Sequence, residues 1–186
     1  MKHTEDKRYY KTSFESPIGN ITLGSDGENL AGLWTAGQKY FCESIPGELI
    51  PNDDLRIFAE TKNWLEQYFN GKKPEIPELP LAPAGSEFRQ AVWKILMEIP
   101  YGSVITYGEI ARKIAEQRGV KSMSSQAVGG AVGHNPIAII IPCHRVIGAN
   151  GNLTGFAGGI ELKQRLLQHE GVNMENLSYK KGYPVR

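Results

Sequence analysis

Prolines stand at positions 74, 77, 80 and 83, every third residue of the stretch from Lys72 to Pro83. Each fixes φ and removes a backbone donor, so this stretch can be neither an α-helix nor a central strand. It reads as an extended connector, residues 72–85. It divides the 186-residue chain into a first unit, 1–85, and a second, 86–186. A chain of this length suffices for one good core or two small ones.

In the first unit Tyr9 to Ser16 alternates loosely and Pro17-Ile18-Gly19 marks a turn. Ile21–Gly24 and Leu30–Trp34 read as two further strands about an Asp26-Gly27 hairpin turn. Ile57, Phe58, Thr61, Trp64, Leu65, Tyr68 and Phe69 share one helical face. Asp53 or Asp54 is expected to cap that helix, and Gly71 to end it. In the second unit Ser86 opens a helix with Phe88, Val92, Trp93, Leu96 and Met97 as its apolar stripe. Thr106, with Glu109 three residues on, opens a helix from Tyr107 to Glu116. After a turn at Gly119, Ser124 or Ser125 opens another, from Gln126 to Gly133. Two short helices joined by a turn form a candidate helix-turn-helix. Ile137–Ile141 is expected to be a buried strand, and Ile160–His169 a last helix with Leu162, Leu166 and Leu167 inward. The expected class is α+β: a small N-terminal unit of sheet and helix, and a mainly helical, winged-helix-like C-terminal unit.

The net charge of +1 hides an asymmetry. Residues 1–85 carry 9 Lys and Arg against 13 Asp and Glu, net −4, while residues 86–186 carry 12 against 7, net +5. A positive field over the second unit suits an anionic partner such as DNA, although unevenly scattered lysines would look the same. No apolar run is long enough to span a membrane. The polar start, Met1 to Lys7, has no apolar segment behind it, so no signal peptide is expected. Two cysteines, Cys42 and Cys143, cannot build a disulfide framework, and no C-x-x-C or H-x-x-x-H spacing suggests zinc. A free thiol fits a reducing cytosol.

Cys143 lies in Pro142-Cys143-His144-Arg145, between an isoleucine-rich run and a glycine-containing one. Thiolate is the strong side-chain nucleophile, and neighbouring positive charge is expected to lower its pKa. Adjacent residues on a strand point to opposite faces, so thiol–imidazole contact needs a turn or a bridging water. A general-base histidine needs an orienting partner. Glu170 is the candidate, because a helix C-terminus is a poor place for a purely structural acid. The residues alone leave open both a structural Cys-His pair and a Cys-His-Glu relay. Glycines 129, 130 and 133 raise a second question, since each interior helical glycine costs up to about 1 kcal/mol against alanine. Close approach of DNA, or of another helix, would account for them.

Pro142-Cys143-His144-Arg145-Val146-Ile147, after Gly133-His134-Asn135-Pro136 and before Gly155-Phe156-Ala157-Gly158-Gly159, resembles the O6-alkylguanine-DNA alkyltransferase family. Ala127-Val128-Gly129-Gly130-Ala131, Leu166-Leu167-Gln168-His169-Glu170-Gly171, Phe88-Arg89-Gln90-Ala91-Val92-Trp93 and Pro100 to Tyr107 are similar too. The resemblance runs from Ser86 to about Val172 and is loose in the first unit, where it rests on Ser16-Pro17-Ile18-Gly19.

The resemblance implies repair of alkylated DNA by direct reversal. The helix-turn-helix would enter the minor groove, and the damaged guanine would be flipped out of the stack. Cys143 would accept the alkyl group once, making the protein a stoichiometric reagent. His144 would take the thiol proton through a water, with Glu170 orienting the ring. Tyr107 and Lys163 would hydrogen-bond the leaving guanine, and Asn135 would tie the DNA-reading helix to the active-site turn. Tyr107, Ser125, Gln126, Ala127, Gly129, Gly130 and Arg145 are the implied DNA-side residues, Arg145 chiefly through a local salt bridge. Val146, Phe156, Ala157 and Gly158 would line the base pocket. No metal or cofactor is implied. The partner would be double-stranded DNA carrying O6-alkylguanine, with O4-alkylthymine a second candidate, and the protein a cytoplasmic monomer.

Three positions depart from the family's pattern. Gln126 stands where an arginine is common, so weaker DNA affinity with a shallower salt dependence is expected. Ala157 replaces a serine of some members, leaving only its backbone N–H as donor, and Ala138 replaces a proline of some, which would widen the pocket. Cys42 has no counterpart and is expected to be an apolar filler. Rival readings are a conventional cysteine hydrolase, a damage sensor, which would lack Cys143, and an alkylation-responsive transcription factor, which would need further zinc-binding cysteines.

Overall fold

The computed structural model describes residues 8–76 and 79–178. The stretch expected to be free of signal-peptide character lies outside them. Strands β1 (Tyr9–Ser16), β2 (Gly19–Ser25) and β3 (Leu30–Thr35) form an antiparallel meander, and β4 (Leu49–Pro51) adds in parallel to β1. The order across the sheet is β3-β2-β1-β4. At the β2–β3 turn the Asp26 carboxylate accepts from the amides of Glu28 and Asn29, and Gly27 supplies the positive φ. Helix α1 (Arg56–Phe69) lays Ile57, Phe58, Thr61, Trp64, Leu65 and Tyr68 against the sheet. Its cap differs from expectation. Leu55 holds the N-cap position with no side-chain hydrogen bond, because the Asp53 carboxylate accepts from the Thr12 hydroxyl of β1 instead.

Helix α2 (Glu87–Met97) begins at the Ser86 cap. Helix α3 (Tyr107–Arg118) begins with a full capping box between Thr106 and Glu109 and ends at Gly119 in left-handed conformation. Of the two serines open as caps for α4 (Ser125–Gly133), Ser124 takes the role. Helices α2, α3 and α4 pack on one another and place the turn between α3 and α4 at the surface.

The expected strand over Ile137–Ile141 is a buried turn. One residue, Ile137, bridges Leu33 of β3, whose amide donates to the Pro136 carbonyl (2.8 Å) and whose carbonyl accepts from Ala138 (3.1 Å). The chain then winds back through Ile139 in left-handed conformation, and the Ile141 amide donates to the Ile137 carbonyl. Ala138 is thus tied to β3 by an N–H that proline would lack, and it packs within the core. Cys143–Arg145 forms a single 3-10 turn, followed by β6 (Val146–Ile147), which pairs in parallel with β5 (Ile105–Thr106). Helix α5 (Ile160–His169) packs over that turn. It buries Leu166 and Leu167 as expected. Leu162 lies only half-buried at the rim, while Lys163 is the fully buried residue of that turn.

One apolar cluster runs through both sides of the proline stretch, joining Ile21, Leu33, Phe58 and Leu65 to Trp93, Ile110, Val128 and Ile141. Among the described residues no helix is long and apolar enough to cross a membrane.

Candidate active site

A 3-10 turn rotates successive side chains by about 120°, so it supplies the irregular backbone that an adjacent Cys-His pair requires. Cys143 is 5% exposed and His144 fully buried. The turn is held from one side by Asn135, whose Nδ2 donates to the Ile141 carbonyl (2.7 Å) and whose Oδ1 accepts from the Ile137 amide (3.0 Å). The same side chain favours the charged form of the Cys143 thiol. Asn135 stands two residues past the end of α4, so its side chain links that helix to the turn that carries Cys143.

Glu170, just past the end of α5, turns its carboxylate inward. Oε1 accepts from His144 Nε2 (2.6 Å), Arg145 Nη2 (3.0 Å) and the Tyr68 hydroxyl (2.8 Å). Oε2 accepts from Arg145 Nε (2.8 Å) and the Gly102 amide (3.1 Å). Burial by itself would raise the Glu170 pKa. The bonds and charges of His144 and Arg145 outweigh burial and hold the carboxyl well below the usual carboxylate range. An ionised carboxylate can only accept, so Nε2 carries the ring proton and Nδ1 presents a lone pair. That Nδ1 is buried and makes no hydrogen bond with the protein. Burial first, and the Arg145 and Lys163 charges with it, lower the His144 pKa against the opposing pull of Glu170. The resting ring is therefore neutral and able to take a proton.

The thiol behaves differently from the sequence expectation. Burial pushes the Cys143 pKa up, and the Asn135 bond and Lys163 charge only partly offset it. The low-pKa thiolate expected from the basic neighbours is overturned, because desolvation outweighs them. Cys143 rests as a thiol that a base must deprotonate during reaction.

Lys163 donates to the carbonyls of Val146 and of Thr154, the latter at 2.8 Å. Burial lowers its pKa to about 8. The Tyr107 hydroxyl donates to the same Thr154 carbonyl (3.2 Å), and burial, then the Cys143 charge, raise its pKa. The two donors expected at the leaving base thus converge on one carbonyl beside Gly155. A side chain at Gly155 would meet Tyr107 Oη at 2.5 Å, and φ there is +72°. Phe156, Ala157 and Gly158 form a half-buried turn before α5, and the Ala157 carbonyl accepts from the Lys39 amide (3.0 Å). Val146 is fully buried.

Arg145 makes the local salt bridge expected of it, to Glu170, and is not free for the DNA side. It is 5% exposed, and its guanidinium is committed to Glu170 and to the Ile99 carbonyl (2.6 Å), so it is not available to a phosphate. On α4, Ser125, Gln126, Ala127 and Gly130 are exposed and Gly129 is half-buried. A Cβ at Gly130 or Gly133 would meet no atom, and at Gly129 only Tyr107 at 3.9 Å. Packing between helices therefore does not account for these glycines. Tyr68 was legible in the sequence only as a core aromatic, and nothing there signalled its bond to Glu170.

Residues 9–83 match the ribonuclease-like domain model of 6-O-methylguanine DNA methyltransferases, and residues 87–172 match the DNA binding domain model. A methylated-DNA–protein-cysteine methyltransferase of Methanosarcina acetivorans is 46% identical over 163 residues, covering 87% of this chain and 98% of its own. One from Haemophilus influenzae is 42% identical, covering 88% and 87%. The crystal structure of Mycobacterium tuberculosis OGT in complex with DNA superposes with a TM-score of 0.73 at 41% identity, over 88% and 92% of the two chains. The chain belongs to the 6-O-methylguanine DNA methyltransferase family.

Proposed function

We propose that this chain repairs O6-alkylguanine in double-stranded DNA by taking the alkyl group onto Cys143 once per molecule. The observation that carries the reading is the buried His144 ring. Its Nε2–H is held by Glu170, and its free Nδ1 is on the residue next to the thiol. In this mechanism His144 Nδ1 takes the thiol proton through a water. The Cys143 sulfur forms a bond to the alkyl carbon as the carbon–O6 bond breaks, and that electron pair leaves with guanine. Guanine then recovers a proton from the Tyr107–Lys163 donor pair. A thioether has no easy exit, so sulfur keeps the group.

The exposed residues of α4, Ser125, Gln126, Ala127 and Gly130, with half-buried Gly129 beside them, form the surface we assign to the minor groove, with Gln126 filling the space of the flipped base. Val146 and Phe156–Gly158 border the base pocket. Residues 1–85 and 86–186 are read as two units sharing one core, acting as a monomer on DNA in the cytoplasm. The test is the intact mass after incubation with duplex DNA carrying O6-methylguanine. A gain of one methylene unit at Cys143, absent in Cys143→Ala, is the expected result. Tight binding without an adduct would identify a damage sensor, and catalytic turnover a hydrolase.

A further inference from the structure

Resting on the reading of His144 as the base, we propose that Tyr68 of α1 is a positioning residue of the methyl-transfer relay, its hydroxyl tuning the Glu170 oxygen that holds His144. Tyr68 comes from the other side of the proline stretch, 102 residues away in sequence. Its ring is 1% exposed, stacked on Trp64 at 5.5 Å and flanked by Phe69, Tyr101 and His169. A phenylalanine would fill that space equally. The hydroxyl is an added polar group whose burial is unfavourable unless it is bonded. It bonds at 2.8 Å to Glu170 Oε1, which also accepts from His144 Nε2 at 2.6 Å. The tyrosine is fixed from behind as well, since His169 Nε2 donates to the Tyr68 carbonyl at 2.7 Å.

The hydroxyl withdraws charge from Oε1 and pins the carboxylate's rotation. Glu170 then holds the imidazole without drawing its proton across, and the neutral ring that can accept the thiol proton stays populated. The other charged or titratable groups around His144 and Glu170 are Arg145, Lys163, Cys143, Tyr101 and His169. None of these except Arg145 shares Oε1 with His144.

The experiment compares the full chain with Tyr68→Phe and with a ring-fluorinated tyrosine placed at position 68, which keeps the shape and strengthens the donor. Three readouts are taken: the nitrogen-edited proton resonance of His144 Nε2–H, the pH profile of single-turnover methyl transfer, and DNA affinity. In Tyr68→Phe the resonance is expected to move downfield and the acid limb of the profile to higher pH. Both move the opposite way with the fluorinated ring, and DNA affinity stays constant. A resonance and profile unchanged in both variants, or displaced in the same direction by both, would overturn the assignment. Should Tyr68→Phe fail to fold, the fluorinated protein decides alone. A wild-type chain that transfers no methyl group overturns the functional reading, while the resonance still judges Tyr68.

Discussion

His144 sits out of solvent between an acid and two cations, and this sets how the molecule responds to pH. Its pKa lies below the ordinary value of about 6.5, so on acidification the unfolded chain takes up this proton first. Stability therefore falls as pH drops below about 6.5. Glu170, also depressed, adds to the loss below about 4.3, where the unfolded carboxyl protonates while the folded one stays ionised. Thermal midpoints measured across this range should decline monotonically toward acid. Glu170→Gln should cost about 3–5 kcal/mol in denaturant unfolding, because it leaves the Arg145 charge buried without its partner. Asn135→Ala should cost about 1–3 kcal/mol, since the Ile137 amide loses its partner and the Ile141 carbonyl keeps only the Cys143 amide. It should also slow alkyl transfer in a single-turnover assay.

Helix α4 is the element where function and stability part. Gly130→Ala should raise stability by up to about 1 kcal/mol, because the added methyl meets open space. The same change should weaken DNA binding in a titration, because that space is where the groove would come. Gln126→Arg should tighten binding and steepen its salt dependence, and unchanged affinity with an unchanged salt slope would reject a groove-side role for this position. Helix starts at Ser86 and Thr106, and the next at Ser124 or Ser125, were readable in advance because a cap is chemistry within four residues. Ile137–Ile141 was not readable. An apolar run of that length fits a buried turn as well as a strand, and the Asn135 side chain decided between them. Strands β4, β5 and β6 are too short to show a period. The pairing of β5 with β6 has a functional weight that no periodicity reveals, since it joins the start of α3 directly to the nucleophile's turn.

Over the whole molecule, the two sides of the proline stretch meet in one core and in one carboxylate. The His144–Glu170 contact was anticipated from the place of an acid at a helix C-terminus, whereas spacing alone left a structural Cys-His pair open. The Tyr68 contribution was not anticipated, since a tyrosine on an apolar helix face reads as packing. Burial also ranks the two thiols. Iodoacetamide should label half-buried Cys42 ahead of Cys143 in the folded chain, with the difference erased in denaturant, as read by peptide mass mapping. Equal labelling under native conditions would contradict the raised pKa and low exposure of Cys143. That shielding matters for a reagent that works once, because its useful lifetime is set by what it ignores. A sulfur that is protonated at rest and barely exposed should react slowly with stray oxidants and free alkylating agents, so lesions draw down the stock of active molecules faster than storage does.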